Sequence, residues 1–106
     1  MENDMEITII ELITHAGEAR SLAIQAVRVA RKGEFEEADK FMQQCAEAMV
    51  EAHNYQTGLI SAETNGDSVP LSLLMVHAQD HVMNAMTVKD MAAEMIEILR
   101  EFNKRN

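Results

Sequence analysis

Apolar residues recur at every third or fourth position over three long stretches of the chain. This spacing places them on one face of an α-helix, because the helix completes a turn in about 3.6 residues. The pattern predicts a first helix over about Asp4–Lys32, a second over about Glu34–Ala62 and a third over about Val69–Phe102. The chain is therefore predicted to be all-α.

Two breaks separate the predicted helices. Gly33 follows two cations, and basic residues in a last turn followed by glycine are typical of a helix C-terminus. Residues 63–68 form a polar, turn-rich cluster, and Ser68 is the predicted N-cap of the third helix. Helices of about 40–50 Å joined by such short connections favour an antiparallel, up-down-up bundle. The length suits a single domain over residues 1–106.

The first and third helices each carry more than one apolar face. The first has an alanine-rich stripe, which permits close packing: Ile9, Leu12, Ala16, Ala19, Ala23, Ala26 and Ala30. The third has a second stripe beyond the one that a three-helix core needs: Leu73, Val76, Met83 and Thr87. Such a second stripe indicates self-association. We expect a homo-oligomer, and a homotrimer that packs its third helices together is one assembly with closed symmetry.

The charge balance of 9 basic and 18 acidic residues gives a net charge of −9. It disfavours nucleic acid as a partner, because a phosphate backbone needs basic groups to neutralise it. No stretch approaches the roughly 20 apolar residues of a membrane span, so no membrane insertion is expected. Cys45 is the single cysteine, which excludes an intrachain disulfide. With no signal-peptide pattern at the N-terminus, these features favour a cytoplasmic location.

The segment Val76–Met83 concentrates polar chemistry within an apolar helical pattern. His77 and His81 are spaced i, i+4 and project from one side of the predicted helix. Asp80 falls on the second apolar stripe, and Gln79 points in another direction, where its amide can meet a phosphate or a neighbouring chain. Burying imidazoles and an acid is costly without a partner or a function, so this segment is the candidate site.

Three interpretations of the two histidines remain open from the residues alone. The first is a half-buried, hydrogen-bonded pair with a structural role. The second is a metal site, since two imidazoles one turn apart can bind one ion, although a third ligand must then come from elsewhere. The third is a nucleophilic histidine that carries a phosphoryl group, because an imidazole is partly neutral near pH 7 and is also a good leaving group.

Three segments together resemble the enzyme IIA component of the lactose/cellobiose (lactose/N,N'-diacetylchitobiose) type of the sugar phosphotransferase system: Val76–Met83, Gly17–Ala23 and Glu51–Thr57. The resemblance extends over about Met5–Phe102. It implies a homotrimer of three-helix bundles, a nine-helix bundle in all, that acts as a phosphotransferase component in sugar uptake. HPr is then the expected phosphate donor, the cysteine of the cognate enzyme IIB the acceptor, and the membrane permease IIC an indirect partner.

The resemblance also implies roles for the residues of the motif. His77 corresponds to the phosphorylated nucleophile, with Gln79 and His81 as support for the phosphate. Asp80 corresponds to an acid that shares a divalent metal at the trimer axis, for which Mg²⁺ is expected because carboxylate oxygens favour hard ions. The expected cargo is a β-linked disaccharide such as cellobiose, chitobiose or lactose. The alternative is a non-catalytic regulatory or metal-binding helical bundle of the same fold.

Overall fold

Three α-helices make up most of residues 2–105, the part of the chain that the computed structural model describes. Helix α1 comprises Glu2–Arg31, α2 comprises Phe35–Thr64 and α3 comprises Leu73–Arg105. They form an up-down-up bundle with extents of 56 × 22 × 20 Å, and these residues contain no β-strand. The all-α, three-helix prediction is confirmed. No helix in residues 2–105 is both long and apolar enough to cross a membrane.

Helix α1 is the centre of the bundle. It packs extensively along both α2 and α3, whereas α2 and α3 contact each other far less. The alanine-rich stripe of α1 is buried as predicted, and Ala16, Ala19, Ala23 and Ala26 are completely inaccessible to solvent. Because a methyl side chain adds little height to the helix surface, both neighbours approach α1 closely and few aromatic residues are needed to fill the core.

The connection between α1 and α2 is short and depends on a glycine. Gly33 has φ = 83°, which lies in the left-handed region that side chains with a Cβ rarely adopt. The N–H of Gly33 donates to the carbonyl oxygen of Ala30 over 2.9 Å and so satisfies one carbonyl at the end of α1. The predicted stop at Gly33 is therefore confirmed.

The beginning of α3 differs from the prediction. Residues 67–72 are non-helical, so the expected start at Val69, with Ser68 as the N-cap, is wrong. The backbone N–H of Met75 instead donates to Oγ of Ser72 over 3.1 Å, which makes Ser72 the N-cap. Pro70 favours the later start, because a proline disfavours helical geometry at the residue before it.

Arg100 joins α3 to the beginning of α2. Its guanidinium lies 5.0 Å from the ring centroid of Phe35 and forms ion pairs with Asp39 of α2 and Glu97 of α3. Arg100 is about 35 Å along α3 from His77, at 1.5 Å per residue. The sparse contact between α2 and α3 is therefore reinforced at the end of the bundle away from the histidines.

One face of α3 stays exposed in the single chain. Leu73 is 87% exposed, Val76 is 49% exposed and Met83 is 53% exposed, and the same helix exposes further large apolar side chains: Met91, Met95, Ile98 and Phe102. The residues of the predicted second stripe thus lie outside the core. Contacts within one chain do not determine the oligomeric state, so the homotrimer stays a prediction.

Enlarging the alanine seam of α1 is expected to destabilise the bundle. The Ala23→Leu variant inserts a large side chain where none of the surface is accessible, so the free energy of unfolding should fall by about 1–3 kcal/mol. Urea denaturation at one fixed protein concentration measures the change. The matched control is Gln25→Leu on the exposed side of the same helix, which should change stability by less than about 0.5 kcal/mol. Equal stabilities for the two variants would contradict close packing at this seam.

Candidate functional site

His77 and His81 meet on the surface of α3. Their Nε2 atoms lie 3.0 Å apart, which is a hydrogen-bond distance, and their ring centroids are 4.5 Å apart with the ring planes at 89°. The contact follows from helix geometry, because side chains at i and i+4 lie one above the other on the same face. The structure thus brings together the two imidazoles that the sequence singled out.

The two rings differ in exposure and share a hydrogen bond. His77 is exposed, whereas His81 is half-buried. A hydrogen bond between two neutral imidazoles needs one N–H donor and one lone pair, so the two Nε2 atoms hold one proton between them. The nitrogen that carries the lone pair is available as a nucleophile or a metal ligand. A molecule that approaches from solvent reaches the ring of His77 first.

Gln79 lies on another side of α3, against α2. Its Oε1 accepts a hydrogen bond of 2.8 Å from Nε2 of Gln56, and its own Nε2 donates to Sδ of Met75 over 3.7 Å. Two positions along a helix correspond to a rotation of about 200°, so Gln79 and His77 point away from each other. Within one chain, the Gln79 amide supports the α2–α3 contact and does not join the histidine pair.

Asp80 is exposed on the apolar face of α3. Its Oδ2 accepts a hydrogen bond of 3.4 Å from Nδ2 of Asn84, one turn further along the helix. The described side chains, residues 4–105, contain no group of three or more His, Cys, Asp or Glu residues that could hold a metal ion. A metal ion at Asp80 therefore requires ligands from outside the single chain.

The other two histidines lie away from the pair. Nε2 of His15 is 2.9 Å from Oε2 of Glu11, and its ring stacks on Tyr55 with centroids 6.1 Å apart. His15 thus bridges α1 and α2. His53 is exposed on α2 and lines a groove that α2 forms with Lys89 and its neighbours on α3.

Cys45 is buried in the core between the helices. Burial raises the pKa of its thiol, and the nearby charge of Lys89 offsets this only in part. A thiol with a raised pKa is mostly protonated near neutral pH and is a poor nucleophile. The chemistry of the candidate site therefore rests on the imidazoles.

The comparison with protein families decides to which family the chain belongs. The sequence profile of the lactose/cellobiose-specific IIA subunit of the phosphotransferase system (PTS) matches residues 7–100. The chain belongs to this family. A IIA subunit is a component of the sugar phosphotransferase system, so the role of the chain lies in phosphotransfer.

Relatives of this IIA subunit match it over almost their whole length. It is 50% identical to the lichenan-specific phosphotransferase enzyme IIA component of Bacillus subtilis. The match extends over 105 residues, which are 99% of this chain and 96% of that protein. The crystal structure of the PTS cellobiose-specific enzyme IIA from Bacillus anthracis superposes with a TM-score of 0.93 at 42% identity, over 96% of this chain and 94% of that one. A third relative is IIA(Chitobiose) of the Escherichia coli N,N'-diacetylchitobiose branch, whose structure was solved in solution in complex with HPr. It superposes with a TM-score of 0.81 at 36% identity, and the match covers 93% of this chain and 96% of that chain.

Gln56 is the residue of this IIA subunit that sequence reasoning undervalued. In the sequence it only interrupts the apolar stripe of α2, yet its side chain is 8% exposed and bonds Gln79 on α3. Its Nε2 also lies 3.9 Å from Sδ of Met83. A polar residue at a core position of a helical repeat is the available signal, because such a group needs a partner once it is buried.

The amide pair between α2 and α3 is expected to stabilise the fold. In the Gln56→Leu variant Oε1 of Gln79 loses its donor at a half-buried position, so the free energy of unfolding should fall by about 1–2 kcal/mol. The double variant Gln56→Leu/Gln79→Leu removes both polar groups. Its loss in the free energy of unfolding should be smaller, by at least about 0.5 kcal/mol, than the sum of the losses in the two single variants. Urea denaturation of the wild type, both single variants and the double variant measures this coupling, with exposed Gln43→Leu as the control. Strictly additive losses would argue against the pair.

Proposed function

We propose that this IIA subunit is a phosphohistidine carrier in which His77 accepts a phosphoryl group from phospho-HPr and passes it to the cysteine of an enzyme IIB. The observation that carries the proposal is an exposed imidazole whose Nε2 lies 3.0 Å from a second, half-buried imidazole. The complex of the related IIA(Chitobiose) with HPr supports HPr as the donor. The names of the relatives support a β-linked disaccharide, such as cellobiose, chitobiose or lactose, as the transported sugar.

The hydrogen bond within the pair fixes the tautomer of His77, whose Nε2 acts as the nucleophile once that bond opens and frees its lone pair. If Nε2 of His81 carries the shared proton, Nε2 of His77 keeps its lone pair and its own proton resides on Nδ1. His81 is the more buried ring and so the better-fixed donor. Once a phosphoryl group occupies Nε2 of His77, the N–H of His81 is positioned to donate to a phosphoryl oxygen.

The start of α3 adds a second source of stabilisation for a phosphoryl group. His77 is the fifth residue of the helix, one turn after Leu73. Helix N-termini carry about half a positive charge and stabilise a nearby anion by about 0.3–1 kcal/mol. Side chains on a helix tilt toward its N-terminus, which brings the imidazole of His77 nearer to that charge.

In the proposed transfer, every bond that forms is matched by a bond that breaks, and no other reactant is needed. The lone pair on Nε2 of His77 attacks the phosphorus of phospho-HPr, and the bond from phosphorus to its carrier atom on HPr breaks with its electron pair left on HPr. In the second transfer the thiolate of IIB attacks the same phosphorus, and the P–N electron pair returns to Nε2 of His77. His77 then regains its hydrogen bond with His81 and is ready for another cycle.

We also propose that the subunit acts as a homotrimer with α3 at the centre. The exposed apolar face of α3 supports this assembly, since covering Leu73, Val76 and Met83 with a second copy removes apolar surface from water and is favourable. A trimer would also bring Gln79 of one copy toward the site of another, because Gln79 and His77 lie on opposite flanks of α3. Gln79 would then support a phosphate that its own chain does not present to it.

Two grooves beside α3 support a cyclic arrangement. One lies between α1 and α3 and combines an apolar floor with the cations Arg20, Arg28 and Arg31. The other lies between α2 and α3 at a similar level, and its apolar residues Met49, Val50 and Met86 are accompanied by Lys89 and Asp90. In a cyclic trimer one flank of each copy faces the opposite flank of the next, so the apolar parts of the two grooves would meet.

Asp80 fits a shared metal site only in such an assembly. A single carboxylate with one amide partner cannot hold Mg²⁺, whereas three copies around an axis would supply three oxygen ligands. Without a cation those three charges would repel one another. The metal would contribute structural charge neutralisation and take no part in phosphoryl transfer.

Substitution of His77 is expected to abolish phosphorylation of the chain. After incubation with phosphoenolpyruvate, enzyme I and HPr, the wild type should gain the mass of one phosphoryl group and His77→Ala should gain none. His81→Ala should still be labelled, but at a rate lower by about 10²-fold, because a donor to the phosphoryl group is lost. His53→Ala is the matched control and should behave as the wild type. Full labelling of His77→Ala, with its helix content intact by circular dichroism, would end this assignment.

The Asp80→Leu variant is expected to form a trimer that no longer depends on metal. Leucine removes the three converging charges and extends the apolar face, so sedimentation should give a trimer with or without EDTA. The wild-type trimer should dissociate, at least in part, when EDTA removes the ion. Glu47→Leu, exposed on α2 beside α1 and away from α3, serves as the control and should retain the EDTA sensitivity. A monomeric Asp80→Leu variant would refute the proposed position of Asp80.

A further inference from the structure

We infer that His77 and His81 together form a binding site for Zn²⁺, and that bound Zn²⁺ prevents the chain from accepting a phosphoryl group. The first part stands on the geometry of the histidine pair alone, and the second part rests on the proposed phosphocarrier function. The site is distinct from any Mg²⁺ site at Asp80, because it uses imidazole nitrogens, which Zn²⁺ binds readily, in place of carboxylate oxygens.

The separation of the two nitrogens matches a shared metal ion. Zn²⁺ binds histidine nitrogen at about 2.0–2.1 Å, so two nitrogens on one ion at angles of 90–110° lie about 2.9–3.4 Å apart. The Nε2 atoms of His77 and His81 are 3.0 Å apart. The separation therefore already suits one ion, and the rings must turn until both lone pairs point at it instead of along the line between the two nitrogens. The exposed ring of His77 has room for this adjustment.

The pair presents the correct chemical form of the ligand. Zn²⁺ needs neutral imidazoles with free lone pairs, so the ring that carries the shared proton on Nε2 changes tautomer and holds its proton on Nδ1 when the ion binds. Neither ring has an ion-pair partner among the interactions recorded for the described residues, whereas Nε2 of His15 lies 2.9 Å from a carboxylate of Glu11. His77 and His81 are therefore the better available ligands.

The number of ligands sets the character of the site. No third His, Cys, Asp or Glu side chain among residues 4–105 of the same chain completes a cluster with the pair, so within one chain water fills the remaining positions. Structural zinc sites use four protein ligands and bind much more tightly. A two-histidine site is thus exchangeable, and it responds to the concentration of free Zn²⁺.

Zn²⁺ and a phosphoryl group exclude each other because both need the same lone pair. The proposed nucleophile is Nε2 of His77, and a nitrogen whose lone pair is bound to Zn²⁺ cannot attack phosphorus. A phosphorylated Nε2 likewise cannot bind the ion, which leaves His81 as a single ligand. Zn²⁺ therefore inhibits the empty carrier and has low affinity for the loaded carrier.

Calorimetric titration of the unphosphorylated chain with Zn²⁺ in excess Mg²⁺ tests the site directly. One equivalent per chain should bind to the wild type, and the Kd should rise by at least about tenfold in both His77→Ala and His81→Ala, since even the loss of a supporting group around a metal costs 10–100-fold. His53→Ala and His15→Ala are the matched controls and should bind as the wild type does. An unchanged Kd in either variant of the pair would overturn the site.

A second titration tests the exclusion. The chain phosphorylated by phospho-HPr should bind Zn²⁺ at least about tenfold more weakly than the unphosphorylated chain. Equal affinities would refute the exclusion while leaving the metal site intact. If the chain accepts no phosphoryl group even after EDTA has removed Zn²⁺ and excess Mg²⁺ has been restored, the phosphocarrier function and the exclusion fall together, and the first titration still decides whether the histidine pair binds Zn²⁺.

Discussion

Close approach of two helices to the alanine seam of α1 is the constraint on which the rest of this structure depends. Because α1 occupies the centre, α2 and α3 are held by their contacts with it and touch each other sparingly. The few direct ties between them then carry more weight, at the Gln56–Gln79 amides near one end and at Arg100 near the other. The same arrangement turns one apolar face of α3 outward, since a three-helix core needs only one face of each helix.

The candidate site lies on the surface of one helix and not in a deep cavity. Spacing of i, i+4 brings His77 and His81 into contact, and the late start of α3 places them close to a helix N-terminus. An exposed imidazole suits a carrier that must meet two protein partners in turn. The same openness leaves its lone pair accessible to a metal ion, so the proposed phosphoryl acceptance and the proposed zinc binding would both follow from one geometry.

Periodic features of this molecule could be predicted from the sequence, and contacts between distant residues could not. The buried alanines and the approach of His77 to His81 follow from helical spacing, which a sequence displays directly. The choice of Ser72 over Ser68 as the cap depends on where the chain leaves its turn, and two serines near one proline look alike in the sequence. The partner of Gln56 lies 23 positions away, and no local pattern connects the two amides. Contacts between copies involve a second chain, so neither the sequence nor the fold of one chain specifies which residues meet.

The connection that ends at Ser72 has a consequence for how proteins of this family can diverge. Most of this segment is exposed and contributes little to the core, so substitutions there are tolerated except at Gly66, whose φ of 95° disfavours residues with a Cβ. Through its last residue, Ser72, it nevertheless caps the first turn of α3, and His77 lies one turn further along. Under the proposed phosphocarrier function, changes in this loop would adjust how long a phosphoryl group is retained while both imidazoles stay the same. Kinetic specialisation for a particular sugar would then need no alteration of the reacting atoms.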